Sequence, residues 1–130
     1  MPYSISEDQE RGILRVETRG YLSEDSRAEL FAELIRSDFA RENGKVLIDH
    51  TRLDKMGGSF QTSFSAVSSI RHLQYKVDIV QMAVIGSSEM LKGLGRQAVS
   101  IFESIFGVPI DLRRFEDEEA AVAWLTAGDR

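Results

Sequence analysis

The segment from Lys45 to Ser59, which reads KVLIDHTRLDKMGGS, contains the residue types best suited to chemistry. An apolar run at 46–48 has the character of a buried strand, and it ends in three polar residues, Asp49, His50 and Thr51. Carboxylate and imidazole groups can act as acid and base or as metal ligands. Ligands of open α/β sheets gather where parallel strands end. The pattern therefore makes this segment the first place to look for a site.

The number of ligands argues against a metal at this position. A metal site normally uses three or more protein ligands, and the only other histidine, His72, lies a predicted helix away. We expect the polar residues, together with Asp54, to form hydrogen bonds that order a short loop. We expect Leu53 to anchor this loop to the core. No nucleophile, base and orienting group can be assembled from the spacing, so we assign no catalytic residue.

Ser59 follows two glycines and opens a predicted helix. Serine is a favoured helix N-cap, which is the simpler interpretation. The start of a helix also offers unpaired N–H groups to an anion or a partner. A phosphate on Ser59 would add about two negative charges there, so a phosphorylation switch is the second interpretation. The candidate residues for partner binding or switching are Asp49, His50, Thr51, Gly57, Gly58 and Ser59.

A second strand-to-helix junction follows the sequence AVIG at 83–86. Ser87 or Ser88 caps the next predicted helix, and an anion at these serines is the alternative interpretation. The pattern lacks the glycine spacing and the lysine of a nucleotide-binding loop.

Soft and aromatic side chains cluster near these two predicted helix starts. Most such residues belong in a core. Those near loop or helix ends could instead line an apolar groove for a lipid-like ligand or a partner helix. The candidate groove residues are Met56, Phe60, Phe64, Met90 and Leu91.

The elements that position these residues can be predicted from periodicity. Residues 3–6 and 13–21 alternate as strands and form a hairpin. Ser23, or Ser26 in competition, caps one helix that ends at Asn43-Gly44. Further strands at 46–48, 80–85 and 110–115 alternate with helices from Ser59, from Ser88 and over 117–125. The order β-β-α-β-α-β-α-β-α predicts an α/β fold with a mixed, mostly parallel sheet of about five strands and about four helices.

Composition limits the classes of function. A chain of 130 residues favours a single domain over 1–130. The net charge of -5 argues against binding to nucleic acid or to an anionic membrane. The absence of cysteine excludes disulfides and thiolate catalysis. There is no apolar run of the ~20 residues that span a bilayer and no signal-peptide pattern, so we expect a cytoplasmic protein. We also expect no cofactor.

Several motifs together resemble a known family. They are the entry at 20–25 (GYLSED), the strands at 46–49 (VLID) and 82–86 (MAVIG), and the ending at 114–125 (RFEDEEAAVAWL). In this order they are similar to the SpoIIAA-like group of the STAS superfamily, named after sporulation anti-anti-sigma factors and sulfate transporters. The resemblance implies an α/β sheet covered by helices and no assigned chemistry. Some members of the group are also compared with the CRAL-TRIO lipid-carrier fold.

The resemblance also bears on Ser59. In the anti-sigma antagonists, a serine in an Asp-Ser-Ser/Thr-Gly motif caps the helix after the third strand, and its phosphorylation switches partner binding. The matching residues here are Met56, Gly57, Gly58, Ser59 and Phe60. Ser59 falls on the helix start, but the aspartate and the following glycine of the motif are missing.

The sequence therefore predicts a non-catalytic STAS-like regulatory module. It would act through protein–protein contact at the helix that follows strand three, with an unknown partner. A homodimer is compatible with such a compact module. The alternative is a carrier or sensor of a hydrophobic small molecule, bound in a cleft between the helices predicted from Ser59 and Ser88. An enzyme that uses Asp49 and His50 ranks last.

Overall fold

The computed structural model describes residues 2–57, 80–86 and 110–127. In these ranges five strands and three helices follow one another as β1 (Tyr3–Asp8), β2 (Ile13–Leu22), α1 (Glu24–Arg36), α2 (Asp38–Asn43), β3 (Lys45–Met56), β4 (Val80–Ile85), β5 (Ile110–Phe115) and α3 (Glu118–Thr126). The helices predicted from Ser59 and from Ser88 lie outside the described residues.

The five strands form one sheet in the order β1-β2-β3-β4-β5. β1 runs antiparallel to β2, whereas the β2–β3, β3–β4 and β4–β5 pairs are parallel. The predicted hairpin and the predicted mixed, mostly parallel sheet are therefore confirmed. Parallel neighbours bring the carboxyl ends of β2, β3, β4 and β5 to the same edge of the sheet.

Helices cover both faces of this sheet. Successive strand residues point to opposite faces, so the strand pattern divides the core into two clusters. On one face, apolar strand residues such as Val16 and Ile48 pack with Leu30 and Leu34 of α1. On the other face, the cluster consists of Ile13, Leu47, Ala83 and Ile85 with Ala121 and Leu125 of α3. Because burying one such side chain contributes about 1.5–3 kcal/mol, both faces of the sheet must stay covered.

The first helical region is two helices rather than the single one predicted. Ser37 has an extended backbone (φ -70°, ψ 115°) and interrupts the apolar stripe between α1 and α2. Its N–H donates to the carbonyl of Leu34 at 3.3 Å, and its Oγ accepts from the N–H of Ala40 at 3.1 Å. One serine thus ends α1 and begins α2. The predicted stop is correct, since Gly44 adopts the left-handed conformation (φ 66°) that glycine tolerates at a helix end.

Of the two serines that compete to cap α1, the structure uses Ser23. Its Oγ accepts a hydrogen bond from the N–H of Ser26 at 3.2 Å. The acidic residues Glu24 and Asp25 occupy the first turn, where they complement the helix dipole. At the other end of the chain, Asp117 caps α3 in the same way, through a 2.8 Å bond from the N–H of Ala120.

The third strand continues well past the point where the sequence pattern predicted a loop. β3 extends to Met56, so Asp49, His50, Thr51, Leu53 and Asp54 are strand residues. Their pairing with β2 is irregular. Three steps along β3, from Asp49 to Arg52, match two steps along β2, from Glu17 to Arg19. A second extra residue, Asp54, follows between Leu53 and Lys55. These bulges explain why a strand with mixed polar and apolar residues does not show simple alternation.

Candidate functional site

β2 and β3 form a two-stranded ribbon that extends past their neighbours at the carboxyl edge of the sheet. β1 pairs with β2 only as far as Thr18, and β4 pairs with β3 only as far as Asp49. Beyond these points the register joins residues 19–22 to residues 52–56. The N–H of Arg19 still donates to the carbonyl of Pro2 at 2.8 Å. We call residues 19–22 and 52–56 the projecting ribbon.

A buried histidine lies at the base of the projecting ribbon. The first bulge places His50 and Thr51 opposite Thr18, on the neighbouring strand. Thr18 is fully buried and His50 is 8% exposed. Their side chains are hydrogen-bonded, with the Oγ1 of Thr18 2.6 Å from the Nδ1 of His50. The same Oγ1 lies 3.3 Å from the carbonyl oxygen of Asp49, which can accept its proton.

Burial determines the charge of this histidine. Loss of solvation lowers the pKa of His50 from 6.5 to about 4, and the nearby carboxylate of Asp49 opposes only part of that effect. The imidazole is therefore neutral at neutral pH. A general base works best when its pKa lies near the operating pH. The pKa of His50 lies well below neutral pH. Its geometry suits a structural role that joins β2 to β3.

Asp49 does not pair with His50 through side chains. Its Oδ1 accepts a hydrogen bond from the backbone N–H of Thr51 at 2.9 Å and a further short one from the Thr51 hydroxyl. Asp49 follows Leu47 on the face that α3 covers, whereas His50 shares a face with Thr18. The predicted hydrogen-bonding role of these residues is present, although it orders a strand bulge instead of a loop.

The end of the projecting ribbon is fixed by Gly57. Its N–H donates to the carbonyl of Leu22 at 2.8 Å. A side chain at this position would meet Tyr21, since a Cβ atom would overlap the tyrosine oxygen. Tyr21 itself is 56% exposed. The chain therefore leaves β3 in a defined place beside an exposed aromatic ring.

The face of the sheet opposite α1 has a small polar depression at the base of the ribbon. Its volume is about 70 Å³, and its lining includes Ser4, Ser6, Arg15, Glu17 and Asp49. Arg15 also forms an ion pair with Glu118 of α3. Since a water molecule occupies about 30 Å³ in the liquid, the depression suits a few waters. Ligand pockets usually exceed about 300 Å³.

Most of the other candidate residues lie outside the described part of the chain. The structure describes only the backbone of Met56, which ends β3. Gly58, Ser59, Phe60, Phe64, Ser87, Ser88, Met90 and Leu91 lie outside the described residues, so the predicted helix caps, anion site and apolar groove stay predictions. Residues 2–57, 80–86 and 110–127 contain no cluster of three His, Asp or Glu side chains suited to a metal ion. No helix within those same ranges is long and apolar enough to cross a membrane.

Sequence reasoning overlooked four residues at this end of the sheet: Thr18, Arg19, Tyr21 and Arg52. The reason is that the sequence pattern predicts a strand at 46–48 that ends in the polar residues 49–51. A strand that short would leave the end of β2 without a neighbour. One signal was available. Leu53 stands alone among polar residues in the run 50–55, as an inward residue of a continuing strand does.

Comparison with known proteins gives the family of this chain. The model of the family described as SpoIIAA-like matches residues 13–126. The chain is also similar to the crystal structure of an uncharacterized protein from the DUF3478 family, with a SpoIIAA-like fold, from Shewanella loihica PV-4. That match has a TM-score of 0.50 and 23% sequence identity, covers 95% of this chain and 91% of the other, and shows the shared fold. No curated protein matches the chain. The resemblance of the motifs is therefore confirmed, and the chain belongs to the SpoIIAA-like family of the STAS superfamily.

Proposed function

We propose that this protein is a non-catalytic regulatory module that binds a protein partner at the carboxyl end of β3. The observation that carries the proposal is the projecting ribbon. It extends beyond β1 and β4, presents Tyr21 to solvent and delivers the chain at Gly57 toward the helix predicted from Ser59. Tyrosine and arginine are enriched at protein interfaces, and the ribbon carries Arg19 and Arg52 beside Tyr21.

The chemistry of the described residues supports a binding role over an enzymatic one. His50 is the described residue best suited to acid–base catalysis. It is buried, its pKa is lowered, and its side chain is hydrogen-bonded to Thr18. Asp49 is engaged by Thr51. The proposal therefore gives neither residue a catalytic role. The family resemblance of the sequence motifs also implies no assigned chemistry, which agrees with a binding role.

No described feature favours the alternative function of a hydrophobic carrier. The cleft predicted for that ligand lies between helices outside the described residues. In the described part, the depression of about 70 Å³ is lined by polar side chains and is far smaller than a lipid requires. We therefore propose only the protein-binding function.

The proposal can be tested by site-specific photo-crosslinking in cells. A benzophenone amino acid replaces Tyr21 in one variant and Glu10 in the other, since Glu10 is an exposed residue of the turn at the opposite end of β2. We expect a discrete cross-linked protein from position 21 alone. Equal capture from both positions, or none from position 21, would contradict the proposal. A mass-spectrometric identification then supplies the purified partner for direct titration.

A further inference from the structure

The projecting ribbon has one apolar face and one polar face. Leu22 and Leu53 are buried on the side that α1 covers. The register pairs Arg19 with Arg52 and Tyr21 with Lys55. Residues that pair across parallel strands point to the same side, and residues 19 and 21 alternate with buried Leu22. Arg19, Tyr21, Arg52 and Lys55 therefore share the solvent-exposed face of the ribbon, which we call the cationic face.

This face is positive on a protein that is negative as a whole. It carries three cations in a chain with 16 basic and 21 acidic residues and a net charge of -5. Arg52 pairs with Glu17 at 3.3 Å, with side chains that are 74% and 40% exposed. Within the described ranges, Arg19 and Lys55 make no ion pair. Asp54, the extra residue of the second bulge, is exposed between Leu53 and Lys55 and adds one carboxylate beside the three cations.

The pairing of Arg19 with Arg52 costs local stability through charge repulsion, and this cost indicates a functional site. Arg19 and Arg52 occupy paired positions on neighbouring strands, whose backbones lie about 4.8 Å apart. Like charges in paired positions are destabilising. Sequences break such local rules mainly at functional sites. Glu17 offsets part of this repulsion through its ion pair with Arg52, and an anionic group that lies across both guanidinium groups would offset the rest.

We propose that the cationic face binds an extended, acidic protein segment. In an extended segment, alternate side chains share one face at a spacing of about 6.8 Å. Arg19 and Tyr21 are alternate residues of β2 and have the same spacing. A bound extended segment can therefore place carboxylates over the arginines and an apolar side chain over the tyrosine. Tyr21 offers apolar area with a polar tip, and arginine binds carboxylates with two hydrogen bonds. The inference rests on the proposed function and names the partner's chemistry.

Other anionic partners fit the chain less well. Nucleic acid binding depends on many phosphate contacts and a strong positive field, and three cations on a chain of net charge -5 do not supply them. Attachment to an anionic membrane takes larger basic clusters or a broad apolar helix face. A protein segment needs only a short positive strip with one aromatic anchor.

The probe for this inference is a short fluorescent peptide of alternating glutamate and leucine, titrated into the full chain at low salt. We expect saturable binding that weakens as salt is added. Arg19→Gln and Arg52→Gln should each weaken it about two- to fivefold, as expected for exposed ion pairs. Arg36→Gln, the matched loss of one exposed arginine on α1, should not change it. A peptide of alternating lysine and leucine should not bind.

Three results would overturn the inference: no saturable binding of the acidic peptide, equal affinities for all three variants, or tighter binding of a single-stranded DNA oligonucleotide or of phosphatidylserine vesicles to the same face. All the substituted side chains are exposed, and circular dichroism checks that each variant folds. The proposed function is tested separately. If the cross-linked partner binds equally well to the Arg52→Gln protein, the cationic face is wrong while the protein-binding function stands.

Discussion

The hydroxyl of Thr18 and the imidazole of His50 are joined at 2.6 Å inside the sheet, between residues 32 positions apart in the chain. Both side chains are buried, and the contact lies where β3 carries an extra residue against β2. It therefore couples the two strands at the base of the projecting ribbon. A buried hydrogen bond at this point holds the register on which the exposed end of the ribbon depends.

The first prediction concerns the pH dependence of stability. Because burial lowers the pKa of His50 to about 4, the unfolded chain binds a proton below pH 6.5 that the folded chain does not yet bind. The free energy of unfolding should therefore fall as the pH is lowered from 6.5 to about 4, and this contribution should level off below that. The shift corresponds to about 3 kcal/mol.

Urea unfolding at a series of pH values measures this effect against a His50→Gln control. The other titrating groups are common to both proteins, so the difference between the two curves isolates His50. The variant should lose less stability than the parent between pH 6.5 and 4. Parallel curves would show that His50 titrates normally in the folded protein.

The second prediction concerns the hydroxyl of Thr18. Thr18→Val keeps the side-chain shape but leaves the Nδ1 of His50 without its partner in a buried place. Such a loss costs about 1–3 kcal/mol. Thr18→Ser is the matched control, since it keeps the hydroxyl and removes a methyl group. Chemical denaturation should find the valine variant less stable than the serine variant. The reverse order would show that the Thr18–His50 hydrogen bond does not stabilise the fold.

The third prediction concerns Ser37 between the two helices. Its side chain caps α2 while its N–H bonds the last turn of α1. Ser37→Ala should cost about 1 kcal/mol, the usual value for a lost N-cap. Ser37→Asp retains a capping oxygen and should stay close to the parent in a thermal or urea melt. An alanine variant as stable as the parent would mean that tertiary packing alone separates α1 from α2.

The fourth prediction concerns the close approach of Gly57 to Tyr21. A methyl group at position 57 would overlap the tyrosine hydroxyl, which is the far end of an exposed side chain and can move. Gly57→Ala should therefore displace the ring while it changes the free energy of unfolding by less than about 1 kcal/mol. NMR contacts between the methyl group introduced at position 57 and the Tyr21 ring report the displacement.

A double-mutant cycle supplies the control for this contact. In a Tyr21→Ala background the alanine at position 57 meets no ring, so its cost should disappear. An equal cost in both backgrounds would place the strain in the backbone of residue 57 instead.

The sequence was sufficient for those parts of the fold that local patterns determine. Alternation over 13–21 predicts β2, serine and glycine mark the ends of the first helical region, and the motif order predicts the parallel sheet. The last helix is predicted over 117–125, and the ring of Trp124 in this helix lies 5.6 Å from Phe115 of β5, centroid to centroid, with Arg113 over the Trp124 ring. The signal that predicts each element lies in residues that are neighbours in sequence.

The features that were missed depend on partners far away in the chain. The apolar residues of α1 and α2 form one helical stripe in the sequence, so the backbone change at Ser37 is visible only once both helices pack on the sheet. The two bulges of β3 shift its alternation, which made residues 50–55 resemble a loop. The Thr18–His50 contact and the cationic face both follow from the β2–β3 register across the two bulges, which joins residues far apart in the chain.

Hydrogen–deuterium exchange of the chain with its cross-linked and identified partner tests the central claim most directly. Amide protection on binding should appear at Arg19–Leu22 and Arg52–Gly57, the two sides of the projecting ribbon and its end, and not at β5 or α3. Protection confined to β5 and α3, with the ribbon unchanged, would contradict the account that this ribbon is the binding surface.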